Sequence, residues 1–299
     1  MSARTVTASP GRSNASKQAP KKKRSKGRAS RRIPRLTAKT ADPYKLYEMA
    51  VQSPDAEIDF VDSTFKKIRG RVATTLREDF CASGATACEW AKRRSTNRSF
   101  GLDLNAKVLR WGEFNNRKPL GAAAERVKLL QRNVLTPGRD ASGVDIVLAM
   151  NFSYWLFQER DQLIAYFKTV RSSLAKDGVF FLDAYGGWES MKVLTERRRI
   201  KGGFTYVWEQ ASFDPISNEQ VAHISFSFPD KTTIKRAFTY RWRLWTIPEI
   251  REMLETAGFK DVTVYWEGDD NKGGGNGVFK PAKKGEDGPS FIVYISAAK

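Results

Sequence analysis

Two acids separated by a run of small residues are the part of this 299-residue chain best suited to do chemistry. The first segment reads Glu78-Asp79-Phe80-Cys81-Ala82-Ser83-Gly84, and the second reads Phe100-Gly101-Leu102-Asp103-Leu104. An apolar run ends in Glu78 and Asp79, a helix-like segment (Ala85 to Arg94) follows the small residues, and a second apolar run ends in Asp103. A loop of small residues lets backbone approach a ligand, and an acid ending the second strand accepts hydrogen bonds from ribose hydroxyls. The pattern is that of a βαβ unit that binds a nucleoside.

Other chemistries are poorly supplied. Cys81 opens a helix, where a thiol pKa falls, but no histidine adjoins it, and it reads as a small loop filler. Cys81 and Cys88 are too few for a disulfide scaffold and lack metal-site spacing, so they read as reduced thiols. The single histidine, His223, argues against a His-based metal site or a Ser-His-Asp triad. It alternates with Ser225 and Ser227, opposite Ile224, Phe226 and Phe228, which places it on a polar strand face. Phe152, Tyr154, Trp155 and Phe157 form an aromatic cluster, with Trp155 and Phe157 reading as core. Tyr240, Trp242 and Trp245 alternate with Arg241, Arg243 and Leu244. That is either one buried and one solvated face, or an aromatic wall with arginines that meet an acidic substrate.

The elements that must position these residues alternate. Tyr44 to Val51 and the segment from Phe60 to Gly70 have helical spacing. Val72 to Phe80 reads as a strand, Gly84 to Arg94 as a helix and Ser99 to Asp103 as a strand. A helix capped by Asn105 runs to about Asn115. Arg126 to Gln131 and Val144 to Met150 are strands three and four, Asp161 to Leu174 is a helix, and Val179 to Ala184 is strand five. Short apolar strands between helices predict an α/β fold, a doubly wound, mostly parallel sheet covered on both faces. Gly203 to Phe213, Glu219 to Phe228 and Thr232 to Leu244 are longer and alternating, an antiparallel meander inserted before the last helix, Pro248 to Ala257. Asp261 to Trp266 and Ser290 to Ser296 close the chain as strands. Between them lies a Gly/Lys/Asp-rich loop, Gly268 to Pro289, long enough to be mobile or functional.

The net charge of +19 is unevenly spread. Residues 1–41 hold no acid and thirteen Lys or Arg residues, among them Lys21-Lys22-Lys23-Arg24, so the remainder is only mildly basic. This arm has almost nothing to bury and reads as a disordered basic tail, with residues 42–299 as one domain. It serves as a solubilising arm, a weak polyanion-binding segment or an import signal. No stretch approaches the roughly 20 apolar residues of a membrane span. The expectation is a cytoplasmic protein, nuclear or organellar if eukaryotic.

In the order of these pieces the chain resembles the class I, Rossmann-like S-adenosylmethionine-dependent methyltransferases over roughly residues 42–299. Glu78 to Gly84 stands at the family's acidic, glycine-rich motif, and Asp103 at its ribose-binding acid. Leu130-Gln131-Arg132-Asn133-Val134 stands at the adenine-contacting segment, and Asn151 follows strand four. Trp245 to Glu249 and Glu255-Thr256-Ala257-Gly258-Phe259 resemble the last helix and its turn. Phe80 and Ala82 replace usual glycines; a small Ala fits if its φ stays negative. Asn133 replaces a more frequent Asp, and its amide can still bond an adenine amino group. The resemblance implies S-adenosyl-L-methionine as cofactor, bound by Glu78, Phe80, Ala82, Gly84, Asp103, Leu104, Asn133, Val134 and Asn151. It implies methyl transfer to a small-molecule acceptor beneath a lid at about 203–244. Tyr44, Tyr154, Tyr185 and Trp242 are the candidates on the substrate side. The alternatives are a methyltransferase for RNA or protein recruited by the basic tail, and a non-catalytic nucleoside-binding scaffold.

Overall fold

The structure is a computed structural model that describes residues 36–269 and 275–299. The basic arm as far as residue 35 lies outside the described residues. Pro43–Val51 forms α1, started by Pro43 and by Asp42, whose carboxylate accepts from the Tyr44 and Lys45 N–H groups. Pro54–Arg69 forms α2, closed by Gly70 in the left-handed region. The first half of the sheet then follows as β1 (Thr75–Asp79), α3 (Ala85–Arg93), β2 (Arg98–Asp103), α4 (Ala106–Gly112) and β3 (Val127–Gln131). The second half is β4 (Val144–Ala149), α5 (Arg160–Ser173) and β5 (Leu174–Gly186).

Parallel pairing joins β3, β2, β1, β4 and β5 in that spatial order. Both faces are covered, and the alternation of β4 shows how. Val147 and Ala149 pack with Leu163, Phe167 and Val170 of α5, whereas Ile146 and Leu148 pack with Ile58, Val61 and Phe65 of α2 and with Trp90 of α3. All six residues of β4 are therefore buried, which is why it reads as an apolar run broken only by Asp145, which accepts from the Thr74 and Thr75 N–H groups and pairs with Arg71. Behind Phe80, Arg77 and Asp79 form a fully buried ion pair, and Tyr166 and Ser173 complete its hydrogen bonds.

The meander is a separate four-stranded antiparallel sheet: β6 (Leu194–Ile200), β7 (Phe204–Phe213), β8 (Glu219–Ser227) and β9 (Thr233–Arg243). The sequence reading began it at Gly203 and missed β6. Residues Thr195 to Arg199 carry charge on both faces, so no period-2 apolar signal marks them; full pairing with β7 makes them an edge strand, where charge is tolerated. Next comes α6 (Ile247–Thr256), started by a capping box between Thr246 and Glu249. The chain ends with β10 (Lys260–Asp269), β11 (Gly275–Pro281) and β12 (Phe291–Ala298). Antiparallel β12, β10 and β11 extend the large sheet beyond β5. The expected loop from Gly268 to Pro289 is thus partly strand. Pairing with β10 and the stacking of Phe279 on Tyr294 (centroids 4.2 Å apart) override the low strand preference of its glycines.

The packed chain also starts earlier than Asp42. Leu36, Ala38 and Ala41 lie against the cluster formed by Leu46 and Ala50 of α1 with Phe204, Ile224 and Phe226 of the meander, and the Ala38 N–H donates to Thr232 Oγ1 at 2.9 Å. No described helix is long and apolar enough to cross a membrane.

Candidate functional site

A cleft of about 510 Å³ opens at the carboxyl ends of β1, β2, β3 and β4. This is the place in a doubly wound sheet where successive crossovers part and leave room for a ligand. The loop after β1 forms its floor. Phe80 (φ 57°) and Ala82 (φ 48°) are both left-handed, so the negative φ under which an alanine would fit without strain is not adopted. The backbone keeps the turn that glycine would adopt freely, at a cost of about 1–2 kcal/mol per residue. Surrounding bonds hold it there. The Ala82 N–H donates to Asp103 Oδ2 (2.9 Å), the Cys81 N–H to the Leu102 carbonyl (2.9 Å) and the Gly84 N–H to the Cys81 carbonyl (2.7 Å). The Phe80 ring packs against Tyr166 and Phe157.

Gly112 of α4 lets that helix lie on the loop, since a Cβ there would sit 2.0 Å from the Ser83 carbonyl oxygen. Gly84, counted above among the cofactor residues, does not line the cleft. It caps α3 with φ 68°, and a Cβ there would strike Leu129. Its requirement is one of packing and turn geometry.

Glu78 is buried at the cleft wall, and its Oε2 accepts from the Ala87 N–H of α3 at 2.8 Å. Burial, helped by the charges of Glu57 and Asp103, pushes its carboxyl up to about 8. Asp103 ends β2 and binds both flanking turns, since its Oδ1 accepts from the Asn105 N–H at 2.8 Å. Beside it Leu104 is 65% exposed, an apolar side chain left open at the cleft. Asn133 and Val134 follow β3 on the same cleft, with Asn133 Oδ1 accepting from the Leu135 N–H.

The fourth wall is unusual backbone. Asn151 (φ 58°) and Phe152 (φ 56°) are consecutive left-handed residues. Both donate their N–H groups to the Asp183 carboxylate, at 2.8 and 2.9 Å. Burial pushes Asp183 up to about 7. Sequence reasoning missed Asp183, although an acid inside the apolar run Val179 to Ala184 was a usable signal. It also missed Tyr47 and Glu48 of α1. Glu48 Oε1 accepts from Ser83 Oγ (2.7 Å) and Asn116 Nδ2 (2.6 Å), which pins α1 to the loop after β1.

A second cavity, about 850 Å³, adjoins the cleft and shares Tyr47, Asn151, Tyr240 and Trp242 with it. Tyr47 and Tyr240 both stand at this junction, and burial raises the pKa of each hydroxyl. The rest of the wall comes from the meander, from β5 and from the β10–β12 edge, including Tyr185, Tyr206, Trp208 and Phe291.

The candidates for the substrate side divide three ways. Tyr185 and Trp242 line the second cavity, and Tyr44 lines the first cleft. Tyr154 lines neither: it is fully buried, its hydroxyl donating to the Asp183 carbonyl at 2.7 Å, because the turn after β4 points it into the core. Trp155 is core, while Phe157, also read as core, reaches the cleft. His223 is buried rather than on an open polar face, with Nδ1 at 2.9 Å from Thr239 Oγ1. Cys81 is buried too, its pKa raised by burial and by Glu78 and Asp103, so it is no nucleophile. Among the described residues no His/Cys/Asp/Glu group is arranged to hold a metal ion.

No protein-family model and no curated protein matches the sequence. Solved structures do match the fold. One is an S-adenosylmethionine-dependent methyltransferase of Clostridium acetobutylicum, 16% identical, with TM-score 0.63, covering 85% of this chain and 96% of its own. Another is an amino pentose methyltransferase of Micromonospora echinaspora involved in calicheamicin biosynthesis (16% identity, TM-score 0.62, 86% and 97% covered). DesVI of Streptomyces venezuelae is similar at 17% identity and TM-score 0.60, with 86% and 96% covered. The chain has the fold of the class I, Rossmann-like S-adenosylmethionine-dependent methyltransferases.

Proposed function

We propose that the chain is an S-adenosyl-L-methionine-dependent methyltransferase whose acceptor is a small molecule held in the second cavity. The observation that carries this reading is the meeting of two cavities at Tyr47, Asn151, Tyr240 and Trp242, one of them built from strand-end carboxylates and backbone turns. The residues fit the cofactor. All of them line the cleft, where Asp103 would accept from the ribose hydroxyls, Leu104 and Val134 would offer apolar faces to the adenine, and Asn133 would offer an amide to its edge. Glu78, Ala82 and Asn151 close the end where a methionine ammonium group would lie.

When bound, this cofactor supplies a methyl group on a sulfonium, already joined to its leaving group. The protein then has to orient the acceptor and exclude water. Walls of aromatic rings, with Tyr47 and Tyr240 at the junction of the two cavities, suit that task. The amino pentose methyltransferase among the structural neighbours points to a small polar acceptor.

Calorimetric titration of S-adenosyl-L-methionine into the full chain tests the reading. One saturable site that is weakened in Asp103→Ala supports it, and no binding by a folded protein returns the scaffold reading to the front. Recruitment of RNA or protein rests on the acid-free composition of residues 1–35. It requires that deleting them abolish salt-sensitive polyanion binding while cofactor affinity stays unchanged.

A further inference from the structure

The wall shared by the cleft and the second cavity depends on one buried acid. Asn151 lines both spaces, and Phe152 lines the second. Both are held in the left-handed region, which asparagine tolerates and phenylalanine avoids. Two such residues in succession persist only where their surroundings over-determine them. Here that is done by Asp183 of β5, which takes the Asn151 N–H on Oδ2 and the Phe152 N–H on Oδ1. Its main chain adds a further tie, because the Tyr154 hydroxyl donates to the Asp183 carbonyl.

Asp145 shows what a carboxylate in a purely supporting place looks like. On the neighbouring strand β4 it also accepts two consecutive N–H groups, those of Thr74 and Thr75. It stands at the amino end of that strand, away from the cleft, and pairs with Arg71. Asp183 stands near the carboxyl end of β5, is 6% exposed, and is in no ion pair among the described residues. The charged group that acts on it most is another acid, Glu57 of α2. A carboxyl buried without a cation is costly unless its oxygens are hydrogen-bonded, and both oxygens here are bonded to the turn. The same turn fixes the Phe152 ring, which packs on Tyr185 at 4.7 Å and on Trp242 at 6.3 Å, two further walls of the second cavity.

We propose that Asp183 is a positioning residue of the site: through the Asn151–Phe152 turn it sets the place where the methionine half of the cofactor meets the acceptor cavity. Asp183 itself lines neither cavity and touches neither ligand. The role rests on the methyltransferase reading above. It confines the effect of Asp183 to the methionine half, because Asp103, Leu104, Asn133 and Val134 would hold the nucleoside half.

S-Adenosyl-L-homocysteine and 5′-deoxy-5′-methylthioadenosine separate the two halves. Both are thioethers of the same nucleoside, and the second lacks the amino acid arm. In calorimetric titrations of the full chain, Asp183→Asn should lose about tenfold or more affinity for the first, the scale of one charge-assisted bond, and about twofold or less for the second. In Asn151→Gly one of the two left-handed positions is taken unaided, so adding Asp183→Asn there should cost about threefold or less. Equal losses for the two nucleosides, no loss, or an undiminished loss in the Asn151→Gly background overturns the proposal. So does an Asp183→Asn chain that fails to fold in both backgrounds, since the carboxyl would then support the fold alone. If the unaltered chain binds neither nucleoside, the methyltransferase reading falls and takes this role with it.

Discussion

The cleft and the second cavity are walled in different ways. The cleft is shaped by backbone: four strand-end turns, four left-handed non-glycine residues, and carboxylates whose oxygens are already bonded to main-chain N–H groups. The cavity is shaped by side chains, rings and acids drawn from α1, β5, the meander and the last strands. A backbone-built site fixes one ligand geometry and tolerates substitution of the side chains around it. A side-chain-built site takes its specificity from a few rings and charges, which can change without disturbing the sheet. Under the proposed function the first would hold a constant cofactor and the second a particular acceptor.

The contrast can be broken most forcefully at Trp242, which touches both regions. It is 6% exposed and packs among Phe152, Trp155, Trp208 and Tyr240. Trp242→Ala should cost about 3–5 kcal/mol of stability, as for a large core aromatic. Thermal or urea unfolding checks this. An unchanged midpoint with lost turnover would instead make the meander a lid that closes on the site without belonging to the core.

Asp103→Ala should weaken S-adenosyl-L-methionine binding by about 1.5–3 kcal/mol, the range for hydrogen bonds to a charged group. Because Asp103 also holds the Ala82 N–H, a melt must accompany the calorimetry. Full affinity in a folded variant ends the ribose assignment.

A smaller effect distinguishes the buried carboxyl of the cleft. Glu78 has its pKa raised from 4.5 to about 8 by burial. Between those two values the folded state holds a proton that the unfolded state has lost, so stability is present at low pH and declines as pH rises toward 8. The slope contributed is at most about 1.4 kcal/mol per pH unit. Glu78→Gln keeps an acceptor for the Ala87 N–H and should flatten this decline. Identical pH profiles of thermal midpoint for the two proteins would falsify the assignment of the proton to Glu78.

The smallest change sharpens the claim that backbone builds the cleft. Ala82→Gly removes a left-handed strain of about 1–2 kcal/mol but frees the unfolded chain, so a gain of about 0.5–1 kcal/mol is expected in a denaturant titration. Phe80→Gly should show no such gain, because it discards the ring packed on Tyr166 and Phe157. A loss in Ala82→Gly would mean that the methyl group of Ala82 packs more strongly than its backbone is strained.

The sheet and the cleft were legible because their signals are local. Apolar runs ending in Asp79, Asp103 and Ala149 mark strands, small residues mark the turn, and all but Gly84 of the expected cofactor residues line the cleft. What escaped had no local signal. The strand β6 is a charged edge, and β11 is a glycine-rich one; each is defined by its partner strand. Tyr154 follows its strand like its aromatic neighbours, yet the turn after β4 sends its hydroxyl to the Asp183 carbonyl.

The order of hydrophobic and acidic residues along the chain therefore determined a doubly wound sheet and the cleft at its strand ends, since both depend on periodicity and on residues within one βαβ unit. Only the tertiary structure decided which rings face a cavity and that Tyr47 and Tyr240 line the same junction. Tyr47 and Tyr240 come from distant segments of the chain, so no local pattern along the sequence could bring them together.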